Sequence, residues 1–505
     1  MSSSTSKYVA TSFMWGGIAK VLDAAIKFAS VPLLLTYFGK NDFALVSLAL
    51  SINAYLSLLD LGVTTGAIKY FSEWIAAKDY KRIDAVARTS ITFYGGIGAI
   101  NALVLILLAY FGIHLFSITD AQGVVMKNLL IILAMFAIIN WSTFVFNQLL
   151  TANENIAYVQ QINIVRSFLG LLLIFITIHF SWSLTLYFTW FTLINTLVVF
   201  PYYFKSKREK LIESFIPSWD WANFKIIFKY SMAIIAIGIF SVSATRLRPV
   251  VLGIYSPDGI GIVTDYRIME TITLFIINIG GLFMSIFLPK TSKILLTNDK
   301  EKIARFAYDG TLYTSIICVI LCMPFILSSR EILHVYVGAK YESLSTWLII
   351  WVITILMYLH NSPVASLVLS TGKTRKLIYS SAIACTISVV VNIALCKQIG
   401  VGSAVIGYLV YIVVQMMYYY FYFNQKILFL NSFSVFKSFI IPAGLGVISI
   451  GFVMLMHISF HNLFVQIMIK TVIWFLIFIA SLLLTNVISI AEFRKLIPGK
   501  AKLNS

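Results

Sequence analysis

The sequence consists of long apolar runs separated by short polar segments. Each run covers about 20 to 30 residues, enough to cross a hydrocarbon core ~30 Å thick at a helical rise of ~1.5 Å per residue. The runs do not alternate between apolar and polar positions, as the strands of a membrane barrel would. The pattern predicts an all-α membrane protein with about 14 transmembrane helices. These helices are expected at residues 11–37, 43–74, 88–115, 127–151, 157–180, 184–204, 225–253, 259–289, 306–328, 343–369, 377–396, 402–423, 438–458 and 465–489.

The lysines and arginines lie mostly on one side of this predicted topology. With the N-terminus inside, 25 of the 38 basic residues fall on the cytoplasmic side. Cytoplasmic loops are rich in Lys and Arg, and one miscounted helix would invert every later loop. The contrast between 25 basic residues on the cytoplasmic side and 5 on the outer side therefore supports fourteen helices with both termini cytoplasmic. The basic residues on the outer side are Lys40, Lys127, Arg330, Lys340 and Lys397.

The composition agrees with this class and changes the meaning of the net charge. Hydrophobic residues make up 60% of the 505-residue chain and charged residues 11%, whereas a soluble protein is about a quarter charged. A net charge of +18 would suggest nucleic acid as the partner of a soluble protein. Here membrane orientation and attraction to anionic headgroups account for it, so we expect no nucleic-acid partner.

The two halves of the chain resemble each other. Segments beginning at Pro32 and Pro249 match at an offset of 217 residues, and those at Asp79 and Asp299 match at an offset of 220. Six helices separate equivalent positions, so the halves share one orientation, as in many alternating-access transporters. The predicted organisation is an N-lobe at 1–204, a cytoplasmic linker at 205–224, a C-lobe at 225–425, helices 13 and 14 at 436–491 and a basic cytoplasmic tail at 492–505.

Several short motifs follow one another in a familiar order. Pro32, Gly39, the sequence LLDLG at 58–62 and the sequence KDYKR at 78–82 mark the first two helices. The sequence LSTGK at 369–373, then Asn392 and the glycine-rich stretch 400–407, mark the second half. The set resembles Wzx-type polysaccharide flippases of the multidrug/oligosaccharidyl-lipid/polysaccharide exporter superfamily.

This resemblance implies two lobes around a central cavity that opens alternately to each side of the bacterial inner membrane. It implies a substrate of the undecaprenyl-diphosphate-oligosaccharide type, moved from the cytoplasmic to the outer leaflet for O-antigen or capsule synthesis. The expected partners are this lipid-linked oligosaccharide, membrane lipids and other polysaccharide-assembly proteins, and the protein is expected to be a monomer. No catalytic residue, metal or cofactor is expected.

Eight basic residues lie inside the predicted helices, where a charge costs ~2.5–3.5 kcal/mol and usually faces a cavity or a partner. On helix 1, Lys20, Asp23 and Lys27 share one face, which we expect to line the cavity. The alternative for either lysine is a side chain that snorkels to the interface. The eight residues are Lys20, Lys27, Lys69, Arg166, Arg246, Arg248, Arg267 and Lys470.

Helix 7 is the repeat equivalent of helix 1 and carries Arg246 and Arg248 before Pro249. Positions two apart on a regular helix diverge by ~200°, so both face the cavity only if the proline distorts the turn. An outer-leaflet snorkel or an ion pair with an acidic residue of helix 8 is the alternative. Because arginine forks and lysine point charges both suit a diphosphate, the predicted diphosphate-binding residues are Lys20, Lys27, Arg246 and Arg248.

The other charged residues of these helices are predicted charge partners or carriers of a coupling ion. Arg267 and Glu270 are three residues apart and could pair with each other. His360 on helix 10 could shuttle a proton or be a packed structural histidine. The predicted partners are Asp23, Asp60, Asp265, Arg267 and Glu270.

Two other functions compete with flipping. A cation-coupled multidrug exporter of the same superfamily would need cavity carboxylates to attract its cargo, but basic residues outnumber acidic ones in these helices. A membrane polymerase or ligase is expected to use a large outer loop, and the loops at 116–126 and 329–342 are short, so we predict no enzyme. Gly372 lacks the glycine five residues earlier that a P-loop requires, which argues against an ATP-driven pump.

Overall fold

The computed structural model describes residues 3–56, 61–284, 291, 294–295, 299–372 and 374–488. Helix accounts for 87% of the structure, and the described residues contain no strand, which confirms the all-α prediction. The helices are α1 (Ser3–Leu56), α2 (Leu61–Ala76), α3 (Tyr80–Leu107), α4 (Asp120–Ala152), α5 (Ile156–His179), α6 (Leu184–Leu197), α7 (Val199–Arg208), α8 (Trp221–Arg246), α9 (Arg248–Tyr255), α10 (Ile262–Met284), α11 (Lys300–Leu327), α12 (Ser329–Val337), α13 (Ser345–Leu359), α14 (Ser362–Ser370), α15 (Thr374–Ile399), α16 (Val401–Tyr418), α17 (Ser432–Leu455) and α18 (Leu463–Leu484).

Ten helical segments in the described part of the chain are long and apolar enough to cross a membrane. They coincide with the predicted helices from 88–115 to 184–204 and from 306–328 to 465–489. The other predicted runs, 11–37, 43–74, 225–253 and 259–289, form α1, α2 and α8 to α10. These runs carry all nine of the predicted site residues. The count of fourteen and the side on which the termini lie stay predictions.

Short polar signals decide where these helices begin and bend. Gly39, at φ 81°, interrupts α1 between the first two predicted helices, in a conformation that suits glycine because it lacks a Cβ. Asp79 caps α3 by accepting a hydrogen bond from the Arg82 amide at 3.2 Å, so this helix begins at 80 rather than at the predicted 88. Thr119 and Gln122 form a capping box that starts α4.

The chain divides into two compact units, of which the first comprises Met1–Phe275 and Arg375–Tyr411. Its core lies among α2, α3, α4, α7 and α8. The buried Gln148 donates to the hydroxyls of Tyr94 at 2.7 Å and Thr64 at 2.8 Å, so its side-chain nitrogen is satisfied inside the apolar core. Large buried rings of this core include those of Phe71, Tyr94, Trp141, Phe146 and Phe224.

The second unit, Ile276–Thr374 and Ile412–Ser505, is centred on α11. This helix packs against α13 and α17, and α17 packs against α18. A Cβ on Gly446 of α17 would lie 2.7 Å from Cγ1 of Val319 on α11, so the glycine permits the close approach. The Gly446 carbonyl also accepts a hydrogen bond from Trp474 Nε1 of α18 at 3.1 Å. The two C-terminal helices therefore belong to the packing of this unit.

An ion pair ties α18 to the short helix α12. Lys470 Nζ lies 2.7 Å from Glu331 Oε1, and Gln466 Nε2 donates to the same oxygen at 3.0 Å. Burial alone would raise the pKa of Glu331, but the hydrogen bond and charge of Lys470, with smaller contributions from the Glu331 backbone amide and Gln466, outweigh burial and hold the pKa below its ordinary value of 4.5. This carboxylate is thus the partner of one of the eight basic residues in the predicted helices.

Lys470→Met is expected to destabilise the protein because it leaves a half-buried carboxylate without its cation. The expected loss is about 1–3 kcal/mol at neutral pH, seen as a lower melting temperature in detergent. Since the folded-state pKa of Glu331 is depressed, the stabilisation is present above pH 4.5 and is lost as the pH falls through the folded-state pKa. Wild type and variant should therefore converge in acid.

The matched control is Lys302→Met, which removes the exposed ion pair with Asp299 at 3.1 Å. Exposed ion pairs contribute little to stability, so this variant should have the same melting temperature as the wild type. Equal losses in the two variants, or a Lys470→Met difference that persists in acid, would contradict the role given to the Glu331 pair.

Candidate functional site

Three charged side chains project from the apolar first half of α1. Lys27 Nζ lies 2.7 Å from Asp23 Oδ2, and the Ser167 hydroxyl of α5 donates to Asp23 Oδ1 at 2.9 Å. The Lys27 side chain is 66% exposed. Lys20, two turns earlier, is also exposed and lies within ion-pair distance of no carboxylate among the described residues. Helix α5 thus holds the carboxylate, while both ammonium groups stay accessible.

Arg246 and Arg248 point in different directions at the junction of α8 and α9. Arg246 is the exposed last residue of α8, whereas Arg248 is 5% exposed at the start of α9. Arg248 Nε donates to the Ala244 carbonyl at 3.0 Å, and its guanidinium lies 4.2 Å from the ring centroid of Tyr408 on α16. A guanidinium on an aromatic face is stabilised by the ring's negative charge density. Arg248 is therefore built into the packing, and Arg246 is accessible.

The two carboxylates of α10 are engaged by basic residues outside the α8–α9 junction. Asp265 Oδ2 lies 2.8 Å from Nζ of Lys40, the residue after the Gly39 break in α1. Glu270 Oε2 lies 2.5 Å from Arg267 Nη1, one turn away on the same helix. Both predicted acidic partners on this helix thus form ion pairs, one within α10 and one with α1.

Arg248 and the Arg267–Glu270 ion pair flank the buried ring of Tyr266, and Arg246 lies two residues before Arg248 in the chain. The Tyr266 hydroxyl donates to Glu270 Oε1 at 3.5 Å. The Arg248 guanidinium lies 5.8 Å from the Tyr266 centroid. We name these four charged residues, Arg246, Arg248, Arg267 and Glu270, the arginine cluster. With three guanidinium groups and one carboxylate, the cluster is net positive.

Lys27 lies in the middle of the first part of α1, and Arg246 and Arg248 lie at the junction of α8 and α9. Lys27 is twelve residues before the break at Gly39, or about 18 Å along the helix axis. Arg246 is nine residues before the end of α9, or about 14 Å. The rings of Phe28 and Phe275 are 5.5 Å apart, which places α1 beside α10. The cations of α1 and of α8 to α10 thus belong to one compact unit in which α1 and α10 are neighbours.

The remaining residues named from the sequence are scattered. Asp60 lies outside the described residues. Lys69 is exposed on α2. His360 is buried in the second unit, with Nε2 3.0 Å from the Tyr420 hydroxyl and its ring stacked 3.9 Å from the Phe439 centroid. This is the environment of a packed interior histidine.

Sequence reasoning missed the residues that support the charged ones. Ser167 is 144 positions from the carboxylate it contacts, and Tyr408 is one of 26 tyrosines in the chain. Neither residue stands out locally, because hydroxyl and aromatic side chains are frequent in apolar helices of this composition. Only the folded arrangement of α5 and α16 shows which ones matter.

Comparison with known proteins agrees with this all-helical architecture. The sequence model of the MatE family matches residues 18–176. No curated protein sequence matches the chain. Among solved structures, a lipid II flippase MurJ in an inward closed conformation is similar with a TM-score of 0.68 and 14% identity, over 93% of this chain and 97% of that one.

Two transporters are similar as well. An inward-facing multidrug resistance MATE family transporter of the MOP superfamily gives a TM-score of 0.62 at 14% identity, over 80% of this chain and 97% of that one. The Vibrio cholerae MATE transporter VcmN in its bent form gives 0.55 at 13% identity, over 87% and 98%. At these identities the comparisons establish the fold, which is that of MOP superfamily transporters.

Proposed function

We propose that this protein is an alternating-access flippase that moves an undecaprenyl-diphosphate-linked oligosaccharide from the cytoplasmic to the outer leaflet. The product would feed the synthesis of a cell-surface polysaccharide such as O-antigen or capsule. The observation that carries the proposal is the excess of positive charge on the apolar helices of the first unit, from the arginine cluster and from Lys20 and Lys27.

The chemistry of a diphosphate explains why this excess matters. A diphosphate headgroup brings several anionic oxygens into an apolar membrane, where charge-assisted hydrogen bonds from Arg and Lys are strong. Arg246, Lys20 and Lys27 are exposed and able to donate such bonds. The long side chain of lysine can also follow the headgroup as it moves.

The acidic residues argue against an organic cation as cargo. Asp23, Asp265 and Glu270 each lie within 2.8 Å of a lysine or arginine nitrogen. A cationic drug would have to displace these partners before it met any of these three carboxylates. Relatives of this fold include a lipid II flippase and multidrug transporters, and this charge balance favours the first kind of cargo.

The direct test is leaflet exchange in liposomes that contain the purified protein. A fluorescent undecaprenyl-diphosphate oligosaccharide should become accessible to a membrane-impermeant quencher much faster than in protein-free vesicles. A fluorescent phosphatidylcholine serves as the control substrate and should not exchange faster. Efflux of an organic cation driven by an ion gradient, without exchange of the diphosphate lipid, would overturn the proposal and identify a drug exporter.

A further inference from the structure

The linker between α7 and α8 exposes large apolar side chains that a solvated tether would not carry. Ile216 is 66% exposed and Trp219 is 60% exposed, with Phe215 and Trp221 about 40% exposed. Trp219 and Trp221 stack at 5.8 Å with an interplanar angle of 4° and form a flat aromatic surface. We name residues 215–221 the aromatic ledge.

Hydrogen bonds to α3 hold the backbone of this ledge in place, and the rings of Phe215 and Trp221 rest on the core rings of Phe146 and Phe224 while their outer faces stay exposed. The neighbouring Leu211 and Ile212 are buried and anchor the segment from the other end. The bonds join Arg88 Nε to the Ile216 carbonyl (2.8 Å), Thr92 Oγ1 to the Ser218 carbonyl (2.6 Å), the Glu213 amide to Asp84 Oδ1 (2.7 Å) and the Asp220 amide to Thr89 Oγ1 (2.8 Å).

Positive charge borders the ledge at the end of α7. Lys207, Arg208 and Lys210 are exposed there. Lys210 adopts φ 59°, which ends the helix and turns the chain towards the ledge. The nearby Glu209 is already paired with Lys205 at 2.7 Å, so it does not offset these three cations.

We propose that the aromatic ledge and its basic border bind the headgroup region of anionic phospholipids in the adjacent leaflet. The membrane-spanning segment Leu184–Arg208 ends at the border, and α8 begins at Trp221, which places the ledge at interface height. Tryptophan prefers this zone because its ring is apolar and its N–H is polar, and nearby lysines and arginines attract anionic lipids. The linker is then a membrane-surface anchor, independent of the transported cargo.

Depth-dependent fluorescence quenching in the full-length protein tests whether the aromatic ledge lies among the lipid headgroups. Ile216→Cys can be labelled selectively with an environment-sensitive fluorophore, because all four native cysteines are buried. In nanodiscs, lipids that carry a spin label near the headgroup should quench the probe, and aqueous iodide should quench it weakly. Strong quenching by iodide without quenching by spin-labelled lipid overturns the proposal and leaves the ledge available to a soluble partner.

The preference of the protein for anionic over zwitterionic lipid tests whether the basic border attracts anionic headgroups. Spin-labelled phosphatidylglycerol should associate with the wild-type protein more strongly than spin-labelled phosphatidylcholine. Combined substitution of Lys207, Arg208 and Lys210 with Gln should reduce this preference about fivefold or more. Gln substitutions of the exposed outer residues Lys340 and Lys397 are the matched control and should reduce it less. An unchanged preference in the triple variant overturns the assignment of anionic lipid to this surface.

Discussion

Oxidative cross-linking of Asn41→Cys to Gly261→Cys is expected to reduce leaflet exchange to the protein-free rate, and reduction of the disulfide is expected to restore it. These positions join the end of the first predicted helix to the start of the eighth. The first belongs to the predicted N-lobe and the second to the predicted C-lobe. If cargo leaves between the lobes on the outer side, this contact must open once in each transport cycle.

The chain segments at residues 40–41 and 261 are in direct contact at the predicted outer side. A Cβ on Gly261 would lie 3.0 Å from Asn41 Oδ1 and 3.2 Å from Lys40 Cε, so this contact is the place to introduce a disulfide, whose Cβ atoms lie ~3.5–4.5 Å apart. Around it, Lys40 Nζ lies 2.8 Å from Asp265, and the Thr264 hydroxyl donates to the Lys40 carbonyl at 2.6 Å. The cross-link would make permanent a contact that is otherwise held by reversible polar bonds.

The control is a cross-link within the predicted N-lobe. Ser72 Oγ of α2 donates to the Ala152 carbonyl of α4 at 3.2 Å, so cysteines at 72 and 152 join helices that should move together. Oxidation of this pair should leave exchange unchanged. Undiminished exchange by fully cross-linked 41–261 protein would show that the outer contact does not need to open, even if wild-type flipping is confirmed.

The helices were predictable because their cause is local. A run of apolar residues long enough to cross a membrane must satisfy its own backbone hydrogen bonds, and each predicted run contains helix in the described part of the chain. The ends were less predictable. Helix α3 begins eight residues early because Asp79 caps it within a polar stretch, where the apolar pattern carries no signal.

The pairing of charges could not be predicted because it depends on which helices become neighbours. Lys40 was counted as an outer-loop residue, yet it pairs with Asp265, 225 positions away. Helical geometry indicated that Arg246 and Arg248 diverge, but not which one is buried. That choice depends on Tyr408, which only the fold brings to the guanidinium of Arg248.

This difference in burial separates the two arginines in an experiment. Arg246→Ala is expected to slow leaflet exchange about 10- to 100-fold, the cost of one lost charge-assisted hydrogen bond to phosphate, with no change in melting temperature. Arg248→Ala is expected to lower stability by about 2 kcal/mol, because it removes a buried guanidinium from the face of Tyr408. Leaflet exchange and thermal melting of the same preparations distinguish the two effects.

Two further variants, Arg246→Lys and Lys27→Ala, test whether the exposed cations bind the diphosphate headgroup. A lysine at 246 keeps the charge without the planar fork, so exchange should recover partly, whereas Lys27→Ala should slow exchange without affecting melting. Lys397→Ala removes an exposed charge from the last turn of α15 and serves as the control, with exchange at the wild-type rate. Exchange that is unaffected by combined loss of Lys27 and Arg246, in a protein that flips the diphosphate lipid, would mean that the headgroup is bound elsewhere. The arginine cluster would then act only in packing, as Arg248 does.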